Sequence, residues 1–291
     1  MQKIHENIYV HSASDGLNVG CVIDKDGAVS IDMPLGVDEA LQWRADIQSL
    51  TPKPLRMIIF TSADRVNSEV MKALAPNLGA FGLPAIIHDA GFNQLYAALE
   101  ASQPRMLEPL SPAQLRERAV LPDMTYSEAT TFTLGSENPI HIDISGANSF
   151  SHGSSVVTVR DTGIVFAGWM VAGNEPPSLQ KANLDAWLAA LAVLRRNRKL
   201  KVVVPATGPM GDMALVARTQ EYLKAAQAGV RKLVRSHKPR ENLDQLAGEL
   251  LASFAPAHSN GEAYLRNTVA GLERLCDDFV TQTLVGESVH E

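Results

Sequence analysis

The stretch RMIIFTSADRVNSEV, residues 56–70, contains the point at which a predicted strand passes into a loop. Its apolar run, residues 57–60, is typical of a strand buried on both faces of a parallel sheet. In layered α/β folds ligands bind at the carboxyl ends of such strands, so the loop TSADRVN is where metal ligands, a nucleophile or a phosphate cradle are expected. The loop contains none of these in a recognisable form. It is placed like an active-site loop but lacks the residues of one.

Composition and charge limit the kinds of partner. The chain has 291 residues, 45% of them hydrophobic, which is enough to bury the core of one large α/β domain or two small ones. A formal net charge of −6 argues against a nucleic-acid partner, because such binding depends on basic surface. Two basic runs, residues 195–201 and 231–240, follow helical patterns, where positive charge is favoured at a helix C-terminus. We therefore predict no nucleic-acid partner.

Cysteine usage and hydropathy indicate the compartment. Cys21 and Cys276 are the two cysteines, and neither has metal-ligand spacing, which fits a reducing environment. The most apolar predicted helix, residues 184–194, is too short to cross a bilayer, and the sequence opens without a charged-then-apolar leader. We predict a cytoplasmic protein without a membrane partner.

The order of predicted elements indicates two layers of sheet. A β-meander is followed by alternating strands and helices, and a connector at residues 102–122 leads to a second set of strands that ends in a helix and a further strand. Two β-rich halves of this kind predict an α/β sandwich of two sheets flanked by helices. Beyond Gly211 the pattern is helical. We therefore predict a domain over residues 1–210 and a C-terminal helical extension, residues 211–291, packed on it.

This order resembles the metallo-β-lactamase superfamily, a four-layer αββα sandwich of metal-dependent hydrolases, over residues 4–208. The resemblance is carried by six segments in register: NIYV with GLNVGCVIDKDGAVSIDMP, MIIFT, LPDMTYSEATTFTLG, HGSSVVTV, GIVFAG and VVVPATGP. It implies a site at which two divalent metal ions share a bridging hydroxide held by imidazoles and carboxylates.

The same resemblance shows where each metal ligand would stand. The superfamily loop T-H-x-H-x-D-H corresponds to residues 61–67, so Ser62 and Asp64 replace the first two histidines, Val66 replaces the aspartate and Asn67 the last histidine. Three further superfamily motifs each contain one ligand. Phe150 stands at the first residue of H-T-x-G, Trp169 at the aspartate of F-x-G-D and Thr207 at the histidine of G-H-G.

All seven ligand positions have therefore changed, and the resemblance implies that they line one cleft. We expect no zinc pair and no other cofactor, and we expect Phe150 and Trp169 to fill the former metal cavity. Asp64 is the best single candidate for a functional role, and its alternative is a buried structural carboxylate.

Other polar residues have two interpretations each. His152 could substitute for a lost ligand after a small loop shift, or it could face solvent. His88 with Asp89 ends a strand and serves the start of the next helix, or it touches the pocket. His141 and Asp143 share one strand face and could chelate, but a half-exposed strand shows the same alternation.

Three functions remain open. The chain is a non-catalytic metallo-β-lactamase-fold protein that binds a small molecule or a protein. Alternatively, it hydrolyses ester, thioester or lactam bonds at a rebuilt site around Asp64, Asn67 and His152. The third alternative is a structural or regulatory subunit that assembles, for example as a homo-oligomer, through its helical tail.

Overall fold

The computed structural model describes residues 1–74, 84–102, 120–136, 138–146, 149–151, 153–236, 242–254 and 261–288. Within these ranges the chain forms a seven-stranded and a five-stranded sheet. Side chains from both sheets share one apolar cluster, and separate clusters lie on the outer face of each sheet against helices. The predicted αββα four-layer sandwich is therefore confirmed.

The first sheet contains the strands from the N-terminal half of the chain in sequential order. Its first four strands form an antiparallel meander, and the remaining strands run parallel to the fourth. The strands are β1 (Gln2–His5), β2 (Ile8–Ser12), β3 (Asn18–Ile23), β4 (Ala28–Ile31), β5 (Leu55–Ile59), β6 (Ala85–His88) and β7 (Met124–Tyr126).

The second sheet has the order β12-β11-β10-β9-β8. Its neighbours are antiparallel except for β11 and β12, which are parallel because a helical crossover joins them. The strands are β8 (Ala129–Leu134), β9 (Ile140–Gly146), β10 (Ser155–Val159), β11 (Ile164–Gly168) and β12 (Val202–Pro205).

The helices cover the outer faces of the two sheets. Several begin at a polar residue whose side chain accepts a hydrogen bond from the first turn, as Asn183 and Asp212 do. The helices are α1 (Val37–Leu50), α2 (Ser68–Leu74), α3 (Asp89–Ala101), α4 (Leu184–Arg196), α5 (Met213–Arg235), α6 (Leu243–Phe254) and α7 (Gly261–Ser288).

Each apolar layer has a clear composition. Between the sheets, residues such as Ile31 and Ile59 from the first sheet meet Val157 and Phe166 from the second. Outside the first sheet, Trp43 of α1 is fully buried. This alternation follows from the strands, whose successive side chains point to opposite faces.

The C-terminal helices lie on the outer face of the second sheet. Leu223 of α5, Leu250 of α6 and Leu272 of α7 belong to the same buried cluster as Trp187 of α4. The placement of a domain boundary at residue 210 stays a prediction. Among the described helices, none combines the length and the apolar character needed to cross a membrane.

Candidate functional site

The ends of four strands meet at one edge of the sandwich. The carbonyl of Thr61, just after β5, accepts a hydrogen bond of 2.8 Å from the backbone N–H of Ser155 at the start of β10. Gly168, the last residue of β11, approaches so closely that a Cβ there would lie 2.7 Å from the Thr61 hydroxyl. Its carbonyl accepts a 2.9 Å bond from Ala206, which follows β12. The two sheets are thus joined beside the loop that the sequence singled out.

The first half of that loop forms a short 3-10 turn, Ala63–Arg65. Ser62 is 1% exposed, and its hydroxyl oxygen has no hydrogen-bond partner among the described residues. Asp64, by contrast, is exposed to solvent. The structure therefore corrects the interpretation of Asp64 as a buried structural carboxylate, since its side chain is on the surface.

The second half of the loop prepares α2. Val66 is partly buried and packs against the apolar cluster beneath the helix. The side-chain oxygen of Asn67 accepts bonds of 3.0 and 3.4 Å from the N–H groups of Glu69 and Val70, and its amide donates to the Leu35 carbonyl at 2.9 Å. Asn67 is therefore committed to capping α2 and to fixing the loop.

A buried ion pair that was not predicted from the sequence lies behind the loop. Arg65 is fully buried, and its Nε lies 3.4 Å from the Oδ2 atom of Asp32, which follows β4. Asp32 also accepts bonds of 2.8 Å from the N–H of Thr61 and 2.7 Å from its hydroxyl. Burial raises the pKa of Asp32, while the Arg65 charge and the two Thr61 bonds lower it.

The Arg65 guanidinium also connects this network to the second sheet. Its Nη2 donates a 2.9 Å bond to the carbonyl of Asn18, whose side-chain amide donates to the carbonyls of Pro205 and Gly208 at 2.9 and 2.8 Å. Those two residues flank Thr207, which is 7% exposed. A side-chain cation therefore lies among the strand ends at which the resemblance places the metal ligands.

The signal for this pair was present in the sequence. Asp32 follows β4, so it lies at the same sheet edge as the loop after β5, and Arg65 is the basic residue of that loop. Asp32 also has a left-handed backbone, with φ of 57°, which is uncommon for a residue with a Cβ.

Two aromatic residues from the remaining ligand positions pack together. The rings of Phe150 and Trp169 stack with their centroids 5.7 Å apart, and Phe150 meets Trp187 edge-on at 6.1 Å. Both Phe150 and Trp169 are only partly buried. The expectation that they fill a closed cavity is thus corrected, because the pair borders open space.

That space is a cleft of about 200 Å³ between the aromatic pair, the segment after β11 and helix α7. Its lining residues are Phe150, Trp169, Ala172, Glu175, Pro176, Pro177, Ser178, Tyr264, Asn267 and Thr268. The former ligand positions that do not line this cleft are Ser62, Asp64, Val66, Asn67 and Thr207. Two of the seven positions, Phe150 and Trp169, thus line this cleft. That all seven positions share a single cleft stays a prediction.

The other polar candidates have local partners. The Nδ1 atom of His88 accepts a 3.1 Å bond from the N–H of Ala90, so His88 caps α3. Asp143 accepts a 2.9 Å bond from the Nε of Arg160, and this bonding lowers the pKa of Asp143. His141 contacts the Thr133 hydroxyl at 3.1 Å. His152 lies outside the described residues.

The residues at the strand ends do not fit a zinc pair. Zinc requires imidazole, thiolate or carboxylate ligands grouped around one point. The ligand positions carry hydroxyl, amide and apolar side chains, with one exposed carboxylate, and the buried cation Arg65 lies beside them. In the part of the chain that the structure describes, no three His, Cys, Asp or Glu side chains are grouped so that they could hold a metal ion.

Comparison with known proteins gives similarity in structure only. No family model matches the chain, and no curated protein matches it by sequence. Among solved structures, a metallo-β-lactamase from Pontibacter korlensis is similar, with a TM-score of 0.59 and 22% identity over 77% of this chain and 97% of that one. The DIM-1 metallo-β-lactamase has a TM-score of 0.59 at 20% identity, covering 77% of this chain and 96% of that chain.

A third similar structure is the mono-zinc form of the metallo-β-lactamase FIM-1 from Pseudomonas aeruginosa. Its TM-score is 0.56 at 17% identity, and the match covers 77% of this chain and 94% of that one. At such identities the likeness carries the arrangement of strands and helices and not the activity, because function depends on the site. The chain therefore has the metallo-β-lactamase fold.

Proposed function

We propose that this chain is a non-catalytic protein of the metallo-β-lactamase fold that binds a small organic molecule in the cleft beside Trp169. The observation that carries the proposal is the aromatic pair. Phe150 and Trp169 stand where metal ligands are expected, yet they are only partly buried and form a wall of an open cleft. Relic aromatics that had merely filled a cavity would be enclosed.

The size and the surface of the cleft suit a small ligand. A cavity of roughly 150 Å³ lined by apolar side chains holds a benzene molecule in another protein, so about 200 Å³ leaves room for a somewhat larger one. Ligand sites are mostly apolar with a few polar groups that fix orientation. Here two prolines and the aromatic pair supply the apolar walls, and polar groups come from Glu175 and α7.

The indole of Trp169 supports the same proposal. Its Nε1–H is buried and has no hydrogen-bond partner among the described residues, whereas the Nε1–H of neighbouring Trp187 donates to the Met170 carbonyl at 2.8 Å. A buried donor without a partner is costly and needs an explanation. A bound molecule with an acceptor group would supply that partner.

The hydrolase alternative has less support from the same residues. It needs Asp64 and Asn67 as working groups, but the Asp64 side chain is exposed and the Asn67 side chain is engaged in capping α2. A metal-free hydrolase also needs a nucleophile next to a base.

A fragment screen followed by thermal unfolding tests the proposal. Wild-type protein is compared with Trp169→Ala and with Phe92→Ala, a matched control that breaks a similar partly buried stack, Phe92 on Tyr96, whose residues do not line the cleft. At a fragment concentration of about ten times its Kd, we expect the thermal unfolding midpoint of wild type and of Phe92→Ala to rise by roughly 2–4 °C. The same fragments should leave the midpoint of Trp169→Ala unchanged. A broad screen in which no hit depends on Trp169 would overturn the proposal.

A further inference from the structure

The charge of the cleft points to the class of its ligand. Among the lining residues, Glu175 is the one with a carboxylic acid side chain, and lysine, arginine and histidine are absent from that lining. None of the ion pairs among the described residues involves Glu175. The cleft therefore presents a carboxylate that no side-chain cation neutralises.

The surroundings of Glu175 strengthen its field. Pro176 and Pro177 follow it in the chain, and the aromatic pair lines the same cleft, so much of the cleft surface is of low polarity. Electrostatic interactions are stronger where low-polarity walls exclude water. Burial raises the pKa of Tyr264 on α7, and the charge of Glu175 and a hydrogen bond between the two side chains raise it further. The Glu175 carboxylate therefore lies within hydrogen-bonding reach of a side chain on α7.

A cation that bonds to the segment just before Glu175 has other partners. Arg218 of α5 donates from Nη2 to the carbonyl of Gly173, and its guanidinium carbon lies 4.7 Å from the centre of the Phe254 ring. Its charge is therefore directed at a carbonyl and an aromatic ring.

We propose that the cleft takes an organic cation, a protonated amine with an apolar body, held between the face of the Trp169 ring and the carboxylate of Glu175. Aromatic faces attract cations through the ring quadrupole, and tryptophan does so best. The carboxylate adds a charge-assisted hydrogen bond to the ammonium group. This inference rests on the proposed function, because it specifies the ligand of the same cleft.

The probes for the test are three small molecules of similar shape and different charge: phenethylamine, phenethyl alcohol and phenylacetate. Binding is followed by calorimetry or by NMR titration of the full chain. In wild type we expect the amine to bind about tenfold more tightly than the alcohol and the acid to bind most weakly.

Two variants assign the preference to its residues. In Glu175→Gln the amine should lose its tenfold advantage while the alcohol binds as before. The control Glu262→Gln removes the same charge from α7 at a side chain that is 94% exposed, and it should leave the preference intact.

The outcomes separate the ligand class from the site. Equal or tighter binding of the alcohol or the acid in wild type overturns the organic-cation inference while the cleft remains a binding site. An amine preference that survives in Glu175→Gln overturns it as well. If the wider screen yields no ligand that depends on Trp169, the proposed function fails, and this inference fails with it.

Discussion

Replacement of Arg65 by methionine is the perturbation with the largest expected effect. Methionine keeps much of the side-chain volume, so the change removes the guanidinium without opening a large void. Asp32 would then stay buried without its cation, with only the two bonds from Thr61. Removing one partner of a buried ion pair typically costs about 3–5 kcal/mol of unfolding free energy. The Arg65 bond to the Asn18 carbonyl is lost as well, so we expect the upper part of that range.

The pH dependence of this loss identifies its cause. The pKa of Asp32 already lies above its ordinary value of 3.8 because of burial, and the removal of Arg65 would raise it further. A carboxyl whose pKa is higher in the folded chain binds a proton more readily there, so its stability contribution is greatest at low pH and falls as pH rises. The deficit of Arg65→Met relative to wild type should therefore shrink between about pH 8 and about pH 5.

Urea unfolding followed by tryptophan fluorescence measures both effects, since Trp43 and Trp187 are fully buried reporters. In an Asp32→Asn background the same replacement should cost less and should not depend on pH. Arg44→Met is the matched control, because Arg44 bonds the Leu74 carbonyl at 2.6 Å without a buried carboxylate, and about 0.5–1.5 kcal/mol is expected. A loss below about 1 kcal/mol for Arg65→Met, or one that does not change with pH, would refute the reasoning.

Four further predictions concern single residues and metal content. Protein purified without chelator should contain no stoichiometric zinc, manganese or iron by elemental analysis, and one equivalent of any of these would restore the hydrolase alternative. Asn67→Ala should lower the unfolding free energy by about 1 kcal/mol or somewhat more in urea unfolding, because α2 loses its cap, and an unchanged midpoint would contradict the capping role. Trp169→Ala should lower the unfolding free energy by clearly less than the roughly 3–5 kcal/mol lost when an enclosed aromatic is truncated, because the Trp169 ring borders a cleft. A loss within that range would support the filled-cavity interpretation instead. Burial raises the pKa of Cys21 to about 12, so iodoacetamide at neutral pH should modify it only after unfolding, and rapid labelling of the folded chain at Cys21 would contradict its burial.

The layered fold could be predicted from the sequence because its signals are local and repeated. Most of strand β5 lies in the apolar run of residues 57–60, and Pro52 and Pro54 separate it from α1. The alternation of strands and helices fixes parallel pairing, and the order of segments then matches one known sandwich.

The candidate site was less predictable because its properties depend on which way side chains point. Correspondence of positions placed Asp64 at a metal ligand, but in the 3-10 turn its side chain is exposed and that of Arg65 is buried. The role of Tyr264 in the cleft could not be inferred, since α7 reaches the aromatic pair only through tertiary packing. Phe150 and Trp169 were singled out correctly as altered ligand positions, but their degree of burial depends on that same helix.

The positive charge beside the strand ends belongs to the covalently bound side chain of Arg65, and this limits which substitutions the region can accept. A metal ion exchanges with solution, so its supply, acid or a chelator can remove it, whereas a guanidinium remains for the lifetime of the chain and keeps its charge throughout the physiological pH range. Restoring histidines at residues 62, 64 and 67 would therefore bring a metal ion close to a permanent cation that repels it. A return to metal chemistry would require the loss of Arg65 at the same time, and each intermediate with Asp32 left alone would be destabilised. Substitutions that restore metal ligands at this edge of the sheet therefore have to be matched by changes at both Arg65 and Asp32.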